Sequence, residues 1–443
     1  LGARYDRGRY ALVSPDVSAK IPAEPKPILR WIFYAFVFAI PFEAVGVGEE
    51  GTGFTITKFI GYFLLLATFL QPRLCYRRPP LAFWCFAAYL WVYLCLNLVQ
   101  ESQYLMPGIM RLTTLVQMLV LFWISYNLLQ SDRMVTSVLG ALVASCVILA
   151  ALQLAGITSM EYRGKSDRLT AFGQNPNALA AVLSLGLLTL IGLAYGRAGR
   201  TRLAKYITWP LLGMVALVIV RTGSRGPFVG LTAGVIAFLL TSGSMWVRIR
   251  NVTIALLALL VLIWATTTSE TAVKRWEAAL EGGNLSGRQR IYAASWAMFL
   301  ERPLQGWGPV HNMAELGDRV HFGKARDTHN LLLMVLTETG LLGALPYVVG
   351  LWLCWRAAWR ARRSIQGVLP LALFLCLLLV NMSSSWHNRK LHWLVLAYAA
   401  ASGSYMVGRR SREQPALISS FGQPQYSRYR YARLGTKEPR EAG

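Results

Sequence analysis

A succession of long apolar runs, broken by short polar connections, constrains this chain more than any other feature. A helix needs about 20 apolar residues to cross a bilayer, and about 17 still suffice. Candidate spans lie near 29–45, 55–71, 81–99, 108–129, 135–157, 177–195, 207–221, 226–241, 251–267, 329–355, 367–383 and 390–407. The pair 207–221 and 226–241 is short and divided by a polar Thr-Gly-Ser-Arg-Gly turn. It reads as a hairpin of two short helices or as a partly re-entrant segment. Only 15% of residues are charged and 55% are hydrophobic, whereas a soluble domain carries about 25% charge. The expected fold is an all-α polytopic membrane protein with about 12 transmembrane helices.

The basic residues orient these spans. The formal charge is +24, which on a soluble chain would suggest nucleic acid. Here the cations sit in short loops between apolar runs, so no nucleic-acid partner is expected. Anionic membrane lipids and topology signals explain them instead. With both termini in the cytoplasm, "RRP", "GRAGRTRLAK" and "RAAWRARR" fall inside, while the outer connections "GVGEEGTG" and "QESQ" hold no Lys or Arg. The reverse orientation breaks the positive-inside rule. The chain then divides into an N-terminal tail (1–28), spans one to nine (29–267), an outer helical loop (268–328), spans ten to twelve (329–407) and a basic, disordered tail (408–443). Residues 1–27 are polar and basic and do not read as a cleavable signal. The six cysteines lack metal-type spacing and read as free thiols. No internal repeat is evident.

With this topology all five histidines fall on the outer side or at span edges. The arginines there have the least topological excuse: Arg163, Arg168, Arg221, Arg225, Arg288 and Arg290. A phosphorylated substrate is the simplest reason for positive charge outside. In "RLTAFGQNPNALA", Asn175-Pro176 marks a turn and Asn177 is placed to cap the following span. The segment is either a capped loop or one that turns Arg168 toward a phosphate. In "RTGSRGP", Arg221 and Arg225 share a face if helical, and Gly223 and Gly226 permit close backbone approach to a ligand. A cation at membrane depth is costly and usually functional, although arginine at a span end also snorkels. Arg288 opens an amphipathic helix expected over "GRQRIYAASWAMFLE", where a guanidinium clamps a diphosphate bidentately or is a solvated charge. His329 and Asn330 begin the tenth span, with Asp327 or Thr328 as its cap. A helix N-terminus favours anions and keeps a nearby imidazole neutral, hence able to accept a proton. Glu338 lies roughly half a turn out of phase with His329 and faces another helix.

These residues resemble the bacterial O-antigen ligase family. His329–Asn330, nine intervening residues, Gly340 and then Gly343 match its His-Asn/Ser/Gln, nine residues, Gly signature. The Ser224-Arg225-Gly226 turn, the Gly287-Arg288 start and the "RLTAFGQNPN" loop follow the superfamily's order, over roughly residues 160–350. The resemblance implies a GT-C-type glycosyltransferase of the bacterial inner membrane with a periplasmic active site. The donor would be undecaprenyl-diphosphate-linked O-antigen and the acceptor a sugar hydroxyl on lipid A–core. His329 corresponds to the catalytic histidine, Arg225 and Arg288 to required arginines, and Arg168 more weakly to a further one. Gly-Leu-Leu-Gly after the signature departs from the Thr residues that often continue it in ligases.

Transfer from a lipid diphosphate needs a stabilised leaving group and an activated hydroxyl. The sequence carries no Asp-x-Asp pair, and arginines supply such charge without a metal. A metal-independent, inverting reaction without a cofactor is therefore expected. Arg225 and Arg288, with Arg168, Arg221, Asn175 and Asn330, would hold the diphosphate or glycan, and His329 would act as general base. No Gly-x-x-x-x-Gly-Lys-Ser/Thr nucleotide loop is present. An O-antigen polymerase or a protein oligosaccharide ligase of the same superfamily is the nearest alternative. A flippase or transporter for lipid-linked sugars is the rival from another class, and the absence of a repeat disfavours it.

Overall fold

A computed structural model of the chain describes residues 24–43, 46–47, 54–158, 169–172, 175–195, 202–238, 287–362 and 367–403, with scattered positions between 245 and 277. The described residues are almost wholly helical. A two-residue antiparallel ladder, Gly46–Val47 on Phe54–Thr55, is the exception.

The helices are α1 (Pro27–Ala39), α2 (Ile56–Thr68), the single turn α3 (Pro72–Cys75), α4 (Leu81–Val99), α5 (Ser102–Leu128), α6 (Asp132–Leu154), α7 (Pro176–Tyr195), α8 (Arg202–Arg221), α9 (Arg225–Ala237), α10 (Arg288–Glu301), α11 (His311–Arg319), α12 (Leu331–Ala361) and α13 (Leu369–Asn381). We call the helix over 390–403 α14. Each expected span falls on one of these except 251–267, which lies largely outside the described residues. Five helices are long and apolar enough to cross a membrane: Leu81–Val99, Ser102–Leu128, Asp132–Leu154, Pro176–Ala194 and Leu331–Ala361. Shorter apolar helices cover Pro27–Phe42, Ile56–Thr68, Tyr206–Arg221 and Leu369–Asn381. The chain is thus a multi-pass helical membrane protein. The expected tails and the first part of the outer loop, through residue 286, lie outside the described residues apart from isolated positions.

Local chemistry sets the helix starts. Thr55 caps α2 by accepting from the Lys58 amide at 3.2 Å, and Ser131 caps α6 by accepting from the Met134 amide at 3.3 Å. At α7 the cap is Asn175, whose Oδ1 accepts from the Asn177 amide at 2.9 Å. The expected cap Asn177 is instead the second helical residue. Pro176 fits the first helical position, where no amide is required.

Small residues bring the helices together. Gly226, Gly230 and Gly234 recur every fourth residue and form one face of α9. A Cβ on Gly230 would lie 2.9 Å from the Cys376 carbonyl, and one on Gly234 3.1 Å from that of Ala372. In a membrane, such stripes let backbones approach where apolar burial gives little drive. At the top of the stripe, a Cβ on Gly226 would overlap Ser383, so the start of α9 is pressed against the loop after α13. On the other side of the bundle α4 packs on α12. Phe86 there makes edge contacts with Phe122, Tyr347 and Trp393. Trp31, Trp84, Trp91 and Trp352 point outward with about half or more of their surface exposed, as a lipid-facing surface requires.

Candidate active site

The turn between α8 and α9 separates Arg221 from Arg225. It runs Thr222-Gly223-Ser224, with Gly223 at φ 60°. The two arginines therefore do not share one helical face, contrary to the expectation from their spacing. Arg221 ends α8 exposed, and its carbonyl accepts from the Leu169 amide at 3.4 Å. Arg225 begins α9 half-buried, at the level that the glycine stripe fixes.

Arg288 opens α10 behind Gly287, which takes φ 75°. One face of α10 buries Ile291, Ser295 and Met298 against the bundle; the helix is therefore a packed element and not one lying loosely on a membrane. Arg290 is exposed on the other side. Arg319 of α11 grips both carboxylate oxygens of Glu301 at 2.6 Å and holds α10 to α11.

His329 closes the cluster. It holds φ 53°, a conformation that is uncommon outside glycine and costs on the order of 1–3 kcal/mol. Two hydrogen bonds hold its backbone. The Asp327 carboxylate accepts from the His329 amide at 2.7 Å and from the Ser385 hydroxyl at 2.7 Å. Tyr292 of α10 donates to the His329 carbonyl at 3.3 Å and to the Met382 carbonyl at 2.8 Å. Asn330 is the cap of α12, its Oδ1 accepting from the amides of Leu332 and Leu333 at 3.0 and 3.2 Å. That corrects the expected cap, Asp327 or Thr328. Thr328 donates to the Asn330 carbonyl at 2.9 Å.

Arg288 connects two of the other anticipated residues. Arg288 is near enough to act electrostatically on both Arg225 and His329. Burial lowers the pKa of His329; Asp327 opposes the shift, while Arg288 and Arg326 add to it. The result is a neutral imidazole beside guanidinium groups, held by burial rather than chiefly by the helix end. Such a set can accept a proton while anionic oxygens bind nearby. Asn175 is exposed at the start of α7; Arg168 and Arg163 lie outside the described residues. Among the described residues no group of three His, Cys, Asp or Glu side chains is placed to hold a metal ion.

Gly340, eleven residues after His329, breaks α12 with φ 57° and ψ −158°. The segment 303–308 fills the break. Leu341 and Leu342 donate to the carbonyls of Pro303 and Leu304, and the amides of Trp307 and Gly308 donate to those of Thr337 and Glu338. A Cβ on Gly340 would overlap the Leu304 carbonyl. The fixed interval from His329 to Gly340 therefore ties His329 to the loop that follows α10.

Below the cluster lies a network that the sequence reading did not assemble. Arg111 of α5 faces the buried Glu338 at 3.8 Å and His387 Nε2 at 3.1 Å. Tyr89 of α4 donates to Glu338 at 3.2 Å. The sulfurs of Met313 and Met334 close other sides of the guanidinium at 3.0 and 3.4 Å. Arg111 was visible as a cation within a span, the one signal that could have flagged it. Asp327, Tyr292, Arg326 and Ser385 carried no comparable signal.

Two comparisons with known proteins give sequence matches. Residues 209–348 match a family model described as O-antigen ligase, an interval that spans Arg221, Arg225, Arg288, His329 and Gly340. An O-antigen ligase of Pseudomonas aeruginosa is 28% identical over 313 residues, covering 68% of this chain and 71% of that protein. Over that interval, and in its helical membrane architecture, the chain is thus similar to O-antigen ligases.

Proposed function

We propose that the chain is an O-antigen ligase of the bacterial inner membrane, a GT-C-type enzyme with cytoplasmic termini and a periplasmic active site. It would move O-antigen glycan from undecaprenyl diphosphate to a sugar hydroxyl of lipid A–core, with inversion and without a metal ion. Its outer loop, 268–328, supplies Arg288 from between the two blocks of spans. The observation that carries the reading is that Arg288 acts electrostatically on both Arg225 and a half-buried His329 whose pKa burial lowers.

In this mechanism the acceptor oxygen attacks the anomeric carbon as the bond from that carbon to the diphosphate oxygen breaks. His329 takes the hydroxyl proton. The diphosphate leaves with the electron pair, and Arg225 and Arg288 stabilise the charge that builds on it. Arg168, Arg221 and Asn175 would make outer contacts to diphosphate or glycan. Asn330 serves chiefly to fix the backbone that presents His329. A single displacement inverts the anomeric centre.

Incubation of the purified protein with lipid-linked glycan and either lipid A–core or further lipid-linked glycan tests this reading, with and without EDTA. Ligated lipid A–core formed at full rate in EDTA is the expected result. Extension of the glycan on its own lipid would identify a polymerase, and dependence on added Mg²⁺ would remove the arginine-only account.

A further inference from the structure

A second site lies away from the His329 cluster. A cavity of about 450 Å³ opens between α2 and α5, bounded also by α1 and by residues 388–390. Its lining divides along the helices: the charged residues are Glu43, Lys58, Arg389 and Lys390, and the lining turns apolar along α2 after Lys58 and along α5 after Thr114 and Gln117. Along α5 the lining runs from Thr114 to Ile124, a drop of about 15 Å at 1.5 Å per residue.

The charge of the lining is uneven. Lys390 pairs with Glu43, and Arg389 stands 3.9 Å from the same carboxylate. Arg389 and Lys390 thus share one carboxylate, and Lys58 lines the same cavity. The walls reach the outer surface of the bundle, since Tyr62 lines the cavity and is itself 47% exposed beside the exposed Phe59 and Phe63. A basic rim over an apolar shaft at the lipid-facing surface matches a lipid with an anionic headgroup. A soluble anion would use the rim alone and leave the shaft empty.

The segment 382–390 joins this cavity to the catalytic cluster. At its start Ser383 meets the α9 stripe at Gly226, and Ser385 holds Asp327. At its end Arg389 and Lys390 form the cavity rim. We infer that the cavity binds the phosphate-bearing headgroup of a membrane lipid, with an acyl chain along the wall of α2 and α5.

Native mass spectrometry of the full-length protein, exposed to equimolar phosphatidylglycerol and phosphatidylcholine in neutral detergent, tests the inference without requiring turnover. The wild type should retain phosphatidylglycerol about tenfold over phosphatidylcholine, equivalent to about 1.4 kcal/mol. K58Q/R389Q should lose most of that preference. Q117W, which keeps the charges and places bulk in the shaft, should lower retention of both lipids. R288A should retain phosphatidylglycerol like the wild type. An unchanged preference in a K58Q/R389Q protein that still unfolds cooperatively would overturn the inference, as would full displacement of phosphatidylglycerol by millimolar inorganic phosphate. Should K58Q/R389Q fail to fold, unaltered retention by Q117W would overturn it equally.

Discussion

Two polar clusters hang on the same helix, α12, and differ in how their charges are met. At its start, His329 sits half-buried near Arg288 and Arg326, with Asp327 as the carboxylate that both braces its amide and opposes the cations. Nine residues on, Glu338 is fully buried, with Arg111 facing it and Tyr89 donating to it. In the lower cluster the two charges, Arg111 and Glu338, oppose each other inside the protein, as deep burial demands. The upper one keeps an excess of one sign among its described residues beside a strained backbone. Positive charge of that kind is what an anionic substrate completes, whereas the lower network holds α4, α5, α12 and the segment after α13 in register.

This contrast can be broken most directly at His329. H329A should reduce glycan transfer by roughly 10²–10⁴-fold, the usual worth of general-base assistance, with thermal unfolding in detergent close to wild type. Substantial residual transfer would mean that the imidazole only contacts the phosphate. R111A should do the opposite and act on stability first. Removing one partner of a buried pair typically costs about 3–5 kcal/mol, visible as a lowered unfolding temperature; the double change R111M/E338L should recover much of it. If R111A unfolded like the wild type yet abolished transfer, the lower network would belong to the chemistry.

R288K sharpens the upper site on a smaller scale. It preserves charge and removes the planar fork. Transfer should fall about ten- to hundredfold, in keeping with about 1.5–3 kcal/mol for a charged hydrogen bond. The smallest expected effect is in pH dependence. Because burial, Arg288 and Arg326 lower the pKa of His329 below 6.5, the neutral base persists into mildly acidic solution. The acid limb of kcat/KM should lie below that value, with activity lost as pH falls through it. R326Q removes a neighbouring positive charge, so its acid limb should move upward by a fraction of a unit. A limb unmoved or moved downward would detach Arg326 from the imidazole.

Much of the bundle was legible because hydropathy over about 20 residues is dictated by the bilayer itself. The positions of α4 to α7 and of α12 follow from it. Capping was less legible: Asn175 rather than Asn177 caps α7, and Asn330 rather than Asp327 or Thr328 caps α12. Several adjacent residues could serve, and backbone geometry chose among them. Arg225, Arg288 and His329 were readable as isolated outer charges in a recognisable order. The Arg111 network was not, since its members come from residues 89, 111, 338 and 387.

The sequence by itself determined that this chain is a membrane-embedded helical protein with basic connections between its spans and a histidine at the start of a long span. Those properties are local: they arise from runs, spacings and single costly residues. Only the tertiary structure decided that the glycine stripe of α9 brings Arg225 to the loop after α13, that the break at Gly340 binds the segment 303–308, and that His329 is neutral through enclosure. Each depends on surfaces far apart in the chain meeting at van der Waals distance, and no local pattern encodes which surfaces those are.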